Sequence, residues 1–486
     1  MAGSGIRSMR YLLQAGADYV LCNEGDLANA ACLVANLAAA AEALAAGAGA
    51  RVDSCAAPSG GRQWRLQGGP AGAGGAGPPL SELVHEDAVS LLARCHLEGR
   101  FFDLIDLDSF GGAAHFVGAS LDAVRYGGLV CLTSTSGTIA GGRDPASALA
   151  LYGQHLAPVP HANEQGLRML IGLAHREALA RRLSVTPLWS LYSPHGSVFR
   201  TMLLVDRQRR QKKSGGWAEG SRCYGYTLHW PGSGESACCA FQDLPAALQD
   251  ACCSGGSGSS GGPPLLSGPL WLGPLHDHGH LQLVQQEAAA RGWVPQAAEA
   301  AAGAAAAGAA SSSGGSGGSS SGPALPATRK GSIGSLQLLL DLLVEEAAAE
   351  AEGERALAAT ATAGEAAAAA GQAAGGQAAA QGLPPWFLRT NDVGRAGQLA
   401  RPPARDALLA ELRRRGFLAC RSHVDPSAVK TTASLAQAVE AAVEGLGIPS
   451  RAAEAAGRQR LRGRHRRPQP SDTGGAGASN LNVALP

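Results

Sequence analysis

The run Phe101 to Ile105, followed at once by Asp106-Leu107-Asp108-Ser109-Phe110-Gly111, constrains the fold more than any other feature of the chain. A mostly apolar strand that ends in an acid, a small residue, an aromatic and a glycine opens into a loop at the carboxyl edge of a parallel sheet. Ligands of open α/β folds collect at that edge. A carboxylate and a ring placed there suit a flat base: the acid accepts from an exocyclic amine while the ring stacks on the plane.

The flanking segments repeat the β/α alternation expected around such a strand. Gly3-Ser4-Gly5-Ile6-Arg7-Ser8 opens a helical pattern that closes at Gly16, and Asp18 to Cys22 reads as a short buried strand ending in Asn23-Glu24. A glycine loop followed about 20 residues later by a strand-end acid is how doubly wound folds hold an adenosyl ribose, which nominates Gly3, Gly5 and Glu24. The third glycine of a dinucleotide fingerprint is absent. Asn29 to Ala46 is an alanine-rich helix, and a third strand ends near Val84 before a helix from Val89. Asp87 between them is either that helix's N-cap or a contact to an adenine. A fourth strand spans Phe101 to Asp108, a helix tail Leu121 to Tyr126 and a fifth strand Gly128 to Thr135. Asn163-Glu164 is expected to cap an amphipathic helix from Gly166 to Arg182, and Thr186–Ser193 and Val198–Val205 form a hairpin about Pro194-His195-Gly196 at the sheet's edge. The alternation predicts an α/β fold with a parallel sheet.

Glycine, 67 of 486 residues, is concentrated in blocks together with alanine. Residues 56–79, 254–268 and 300–329 bury too little apolar surface to offset backbone entropy and read as loops or disorder, while 345–383, rich in Ala, Glu and Gln, reads as a frayed helix. What remains, roughly 350 residues, suits two domains. The formal net charge of +1 excludes nothing, but the basic runs Arg207–Lys213 and Arg458–Arg467 are either solvated or in contact with phosphate. Eleven cysteines without an apolar leader predict a reducing, intracellular compartment, with nucleus and organelle not distinguished. No stretch is read as long and apolar enough to span a bilayer.

Six segments occur in one order: Ser4 to Tyr11, Asp106 to Gly111, Gly127-Gly128-Leu129, Asn163 to Gly172, Gly268 to Asp277 and Arg421 to Thr431. Together they resemble the tRNA (guanine(26)-N(2))-dimethyltransferase family, enzymes that methylate guanine at tRNA position 26 with S-adenosylmethionine. Ser109 in place of the family's proline, and Asn163 where histidine is usual, resemble a divergent plant or green-algal branch. The resemblance implies a class I S-adenosylmethionine-dependent methyltransferase domain, a Rossmann-like sheet, over 1–206. A basic, Ser/Gly-rich linker over 207–267 follows, then a smaller α+β tRNA-binding domain over 268–440 with insertions at about 296–329 and 345–383, and a basic tail over 441–486. It implies that Arg7 meets the methionine carboxylate, Glu24 the ribose, Asp87 and Ala88 the adenine, and that Asp108 is the catalytic acid. It also implies that the family's first strand is missing, so that the neighbouring strand edges are exposed.

The chemistry of the loop supports Asp108 separately. The lone pair of guanine's exocyclic amine is delocalised into the ring, and a carboxylate and a carbonyl accepting its two N–H bonds turn that lone pair toward an electrophilic carbon. Asp108 and the Ser109 carbonyl are spaced for this, with Phe110 stacking on an extruded base. Asp106 reads as a supporting hydrogen-bond partner and not as a reacting group. His195 is a solvated turn residue or faces the site, and His423 and Asp425 stabilise the fold or touch tRNA. Cys223, Cys238, Cys239, Cys252 and Cys253 contain no C-x-x-C spacing, and methyl transfer needs no metal, so none is assigned. Two rivals stand beside the methyltransferase reading: a catalytically impaired tRNA-binding protein of the same fold, and a nicotinamide-dependent oxidoreductase resting only on Gly3, Gly5 and Glu24.

Overall fold

Among the described residues, the amino-terminal half of the chain builds two four-stranded half-sheets whose end strands each have an open edge, as the sequence reading expects. The computed structural model describes residues 2–44, 50–56, 62–68, 80–208, 223–254, 262–294, 335–369 and 382–456. Helix α1 (Ile6–Leu13) leads to β1 (Val20–Asn23), α2 (Ala30–Leu44), β2 (Ala50–Ala56), β3 (Arg62–Gly68), β4 (Ser81–Val84) and α3 (Ala88–Leu97). The first half-sheet runs β1-β4-β3-β2, with β1 parallel to β4 and the rest antiparallel. Strand β3 of the β2–β3 hairpin lies within residues 56–79, where a Gly/Pro-rich loop was expected. Trp64 and Leu66 on β3 pack into the core that α2 closes, which gives this hairpin the apolar surface the rest of the block lacks.

The second half-sheet follows from β5 (Phe102–Asp108), α4 (Ala114–Ala123), β6 (Val124–Ser134), α5 (Ala162–Ala180), β7 (Leu183–Ser193) and β8 (Val198–Arg207). Its order is β5-β6-β8-β7; β5 and β6 are parallel, and the β7–β8 hairpin closes the far edge as the sequence predicts. Residues 124–126 are strand and not helix tail. Val124 is buried in register with Phe102, and the Arg207 guanidinium lies 4.2 Å above the Tyr126 ring, so strand pairing recruits these residues. Helix α5 begins at Ala162 with His161 in the N-cap position, which places Asn163 and Glu164 inside the helix.

Helix α2 departs from a second expectation. Leu27–Leu44 is, by length and composition, apolar enough to cross a bilayer. Here Leu33, Leu37 and Ala40 are fully buried beside Leu12, Cys22, Leu66 and Leu83, so its apolar face is used within the half-sheet's core.

The remaining elements are β9 (Tyr224–His229), β10 (Ser236–Ala240), β11 (Leu265–Trp271), α6 (His278–Ala290), α7 (Leu336–Ala369), β12 (Leu388–Arg389), α8 (Thr390–Ala396), α9 (Arg405–Arg414), β13 (Ala419–Arg421), β14 (Ala428–Thr431) and α10 (Leu435–Glu440). They make two antiparallel sheets, β10-β9-β11 and β12-β14-β13. The alanine-rich block read as an insertion at 345–383 is helical as far as Ala369, and it contributes Glu346 and Glu350 to the interior. The part of that block over 370–381, the Arg458–Arg467 run and most of Arg207–Lys213 lie outside the described residues.

One buried cation ties the two halves. The Lys430 ammonium on β14 lies 3.1 Å from Glu164 on α5, 2.9 Å from Glu346 and 3.1 Å from Glu350, both on α7. Glu164 also takes a 2.7 Å bond from Arg168, whose guanidinium donates to the Trp271 and Gly273 carbonyls. Burial alone would lower the Lys430 pKa, but the three carboxylates outweigh it and hold the ammonium charged. Lys430→Met strips Glu346 and Glu350 of that cation, and a buried pair broken on one side costs about 3–5 kcal/mol. We expect a correspondingly lower urea midpoint by circular dichroism; an unchanged midpoint would show that the network does not hold the halves together.

Candidate active site

The loop after β5 is fixed by main-chain and hydroxyl contacts to the end of β6. The Gly111 N–H donates to Thr135 Oγ1 at 3.0 Å, the Gly111 carbonyl accepts from the hydroxyls of Ser134 and Ser136, and Ser109 Oγ donates to the Gly112 carbonyl at 2.8 Å. Gly111 has φ +87°, and a Cβ on Gly112 would stand 2.8 Å from the Tyr152 hydroxyl, so both positions favour glycine. The turn leaves Phe110 fully exposed, at 101%. A phenyl ring held outside any apolar contact, on a loop anchored at both sides, is available to stack on a planar ligand.

Asp106 and Asp108 lie two residues apart on the strand and have different surroundings. Asp106, 12% exposed, accepts from Arg7 Nη1 at 2.6 Å, from the Tyr11 hydroxyl at 2.7 Å and from Arg200 Nη2 at 3.2 Å. Burial raises the Tyr11 pKa, and the Asp106 charge raises it further, so the phenol stays a donor. Asp108, 37% exposed, meets only the other arm of Arg7 among the ion pairs of the described residues. Asp106 therefore positions Arg7, and Asp108 is the carboxylate that faces outward. Tyr11 and Arg200 are contributors that sequence reasoning missed. Tyr11 had a signal, since it stands four residues after Arg7 on the same face of α1. Arg200 had none, because it arrives from β8 through the register Thr133 to Arg200.

The glycine loop and the strand-end acid do come together. Gly3 N–H donates to Glu24 Oε2 at 2.7 Å and Asp26 N–H to Oε1 at 3.0 Å. Burial pushes the Glu24 carboxyl up, but the hydrogen bonds it accepts, those two included, outweigh burial and hold it down at about 2. Gly3 and Gly5 have φ of +55° and +80°, and a Cβ at Gly5 would press on Leu33 at 3.3 Å, which explains glycine at both. Asp87 caps α3, accepting from Ser90 N–H and Oγ at 2.9 Å each, so its carboxylate serves the helix. Ala88, Arg7 and Asp108 line a cavity of about 860 Å³ that also reaches Asn23 and Asp106; Gly3, Gly5, Glu24 and Asp87 flank it without lining it.

The other nominated residues lie elsewhere. His195 is exposed at the tip of the β7–β8 turn. Asp425 accepts from Arg389 Nε at 2.8 Å and from Ser427, a fold-stabilising role. His423 Nδ1 lies 2.8 Å from Glu346 Oε2 in the Lys430 network. His276, Glu346 and His423 are close enough to share one ion, but the donor set does not suit a metal. Both Glu346 oxygens already serve Lys430 and His423, and His276 Nδ1 accepts from Ser190 N–H at 3.3 Å, which leaves its Nε2 carrying a proton. Three segments singled out in the sequence, those of Glu164, His276 and Lys430, thus converge on this network and not on the loop.

A family model described as N2,N2-dimethylguanosine tRNA methyltransferase matches residues 80–299. The tRNA (guanine(26)-N(2))-dimethyltransferase of Pyrobaculum neutrophilum is 31% identical over 211 residues, which is 43% of this chain and 50% of that protein. The protein of the same name from Aeropyrum pernix is 25% identical over 295 residues, 60% of each chain. The chain thus spans about half the length of the first of these relatives. Among solved structures, Trm1 from Pyrococcus horikoshii in complex with S-adenosyl-L-methionine shares the fold, with a TM-score of 0.58 at 19% identity, covering 91% of this chain and 86% of that one. The two half-sheets accordingly share the class I methyltransferase fold, and residues 80–299 of the chain are similar to the N2,N2-dimethylguanosine tRNA methyltransferase family.

Proposed function

We propose that the chain transfers methyl groups from S-adenosylmethionine to the exocyclic N2 of guanine at position 26 of tRNA, giving N2-methyl- and N2,N2-dimethylguanosine. The observation that carries this reading is the placement of Asp108, the Ser109 carbonyl and the exposed Phe110 ring beside a cavity that also reaches Arg7 and Ala88. The name shared by the Pyrobaculum and Aeropyrum relatives, which states both the nucleotide and the atom, supports the choice of substrate. Buried thiols at Cys22, Cys95, Cys131 and Cys420 support an intracellular setting.

The residues at the carboxyl-end mouth of the cavity fit the cofactor. Arg7 offers a guanidinium to a carboxylate, a Cβ at Gly3 would meet nothing within 4 Å, and Ala88 leaves room for a flat ring at the head of α3. Glu24, held beside the glycine loop by the Gly3 N–H, offers a carboxylate to ribose hydroxyls. When bound, S-adenosylmethionine supplies an electrophilic methyl carbon. Phe110 holds the extruded guanine by stacking, and Asp108 and the Ser109 carbonyl accept its two amine N–H bonds, aiming the nitrogen lone pair. Positive charge that develops on the nitrogen is stabilised by the Asp108 carboxylate, which then takes the released proton. Asp106 and Tyr11 keep Arg7 oriented while Asp108 exchanges Arg7 for the substrate amine.

That last exchange is also the observation favouring a second reading. Arg7 engages Asp108 directly, and a protein in which this pair stays closed binds tRNA without methylating it. Tritiated methyl incorporation into unmodified tRNA, beside a gel shift, separates the two: incorporation supports the enzyme, and a shift without incorporation supports the impaired binder. Asp108→Ala is expected to lower single-turnover methylation by about 10²–10⁴-fold while S-adenosylhomocysteine affinity measured by titration calorimetry stays within about threefold, since Arg7 keeps Asp106. Phe110→Ala removes one stacking contact, worth about 1–3 kcal/mol, and should appear as a raised tRNA KM; an unchanged KM would remove the ring from the substrate path.

A further inference from the structure

Helix α1 belongs to the first half-sheet by its packing but serves the second by its chemistry. Leu12 and Met9 pack with Cys22, Leu33, Leu37 and Leu66, all from the first half-sheet and α2. Arg7 and Tyr11, one turn apart on the same stripe, reach across to Asp106 of β5 at 2.6 and 2.7 Å. Bonds this short tolerate little displacement, so the place of α1 along its own axis decides whether Arg7 meets its partners. About 10 Å of helical rise separates Arg7 from Gln14, and a slip at Gln14 arrives at Arg7 undiminished.

The far end of α1 is stopped by the end of α6. The last carbonyls of a helix have no partner within it. Here the Gln14 carbonyl accepts from Arg291 Nη1 at 2.9 Å, which also sets a cation at the negative pole of α1. Arg291 is steadied by Glu287, one turn earlier, at 2.5 Å. The Trp293 ring carries two guanidiniums, with Arg10 Cζ 5.8 Å and Arg291 Cζ 5.4 Å from its centroid. Local chemistry places that ring. Gly292 has φ +68°, its N–H donates to the Ala289 carbonyl and the Trp293 N–H to the Ala288 carbonyl, the pairing that ends a helix in a left-handed glycine. Ala288 and Val294 are buried against Leu340 of α7, and Leu281, further up α6, packs with Trp189 of β7. The clamp is thus seated on the half-sheet that carries Asp106 and Asp108.

We propose that Arg291 and Trp293 are positioning residues for the cofactor: clamped on the end of α1, they set where Arg7 presents its guanidinium to the methionine carboxylate. This rests on the assignment of Arg7 to that carboxylate and adds two residues that act on it from the opposite end of the helix. Neither residue lines the cavity, so their effect reaches the ligand through α1. The consequence is selective. A slip of α1 withdraws Arg7 from the carboxylate end of the ligand and leaves Ala88, on α3, in place for the adenine.

Titration calorimetry with two nucleosides tests this on the full chain. S-adenosylhomocysteine carries the amino acid carboxylate, and methylthioadenosine has the same adenosine and sulfur without it. Arg291→Met and Trp293→Leu are each expected to weaken S-adenosylhomocysteine by about tenfold and to leave methylthioadenosine within about twofold. Arg291→Lys, which keeps a cationic donor for the Gln14 carbonyl, is expected to return S-adenosylhomocysteine to within about threefold of the wild type. Hydrogen exchange at the amides of Gln14, Ala15 and Ala17 should quicken by about threefold or more in Arg291→Met, with the urea midpoint unchanged. Equal weakening of both nucleosides would overturn the proposal by showing general loosening, as would unaltered exchange at those amides. A wild-type chain that binds S-adenosylhomocysteine, with variants that match it, overturns the role of the clamp alone. A wild-type chain that binds neither nucleoside refutes the assignment of Arg7 and the role of the clamp together.

Discussion

The Lys430 ammonium, enclosed by Glu164, Glu346 and Glu350, is the interaction on which the arrangement of the chain depends. One carboxylate comes from α5, which packs on the second half-sheet, two from the alanine-rich helix, and the cation from a strand near the carboxyl end. Charges this deeply buried tolerate little displacement, because the attraction offsets desolvation only at contact distance. Burial raises the Glu350 pKa while Lys430 and His423 hold the Glu346 carboxyl well below its usual range, so the two acids of one helix respond to opposite balances of the same forces. The network sets the position of α5, which packs on the sheet that ends in the Asp106–Gly111 loop, and so links the β12-β14-β13 sheet to the geometry of the candidate site.

A second constraint acts at the sheet's rim. Asp106 and Asp108 share Arg7, but only Asp106 is also held by Tyr11 and Arg200. The difference separates a positioning acid from one that can exchange partners. Ser109 stands where a proline would rigidify the loop, and the hydroxyls of Ser134, Thr135 and Ser136 supply anchorage from β6 in its place. The loop that carries the Ser109 carbonyl is therefore held from the neighbouring strand at Gly111.

Much of this was legible from residue order. Strand β5 and its loop, the α1 glycine loop with Glu24, and the β7–β8 hairpin follow from local periodicity and turn chemistry, which depend on neighbours in sequence. Glu346 and Glu350 were hidden in a segment whose composition reads as low complexity, because nothing local tells a solvated alanine-rich helix from one that carries two core acids. Glu164 was read as a cap for the same reason: its partners Arg168 and Lys430 lie 4 and 266 residues away, and only the nearer is visible in the helical pattern. Arg200 likewise reaches Asp106 through strand register alone.

The central claim is that the outward-facing carboxylate of Asp108 directs chemistry to one nitrogen of one base. Nuclease digestion of tRNA after incubation with the protein and S-adenosylmethionine, with the nucleosides and the position-26 fragment resolved by mass spectrometry, tests this directly. The account predicts N2-methylguanosine and N2,N2-dimethylguanosine confined to position 26. Methyl groups on another guanine atom, or on another base, would contradict it.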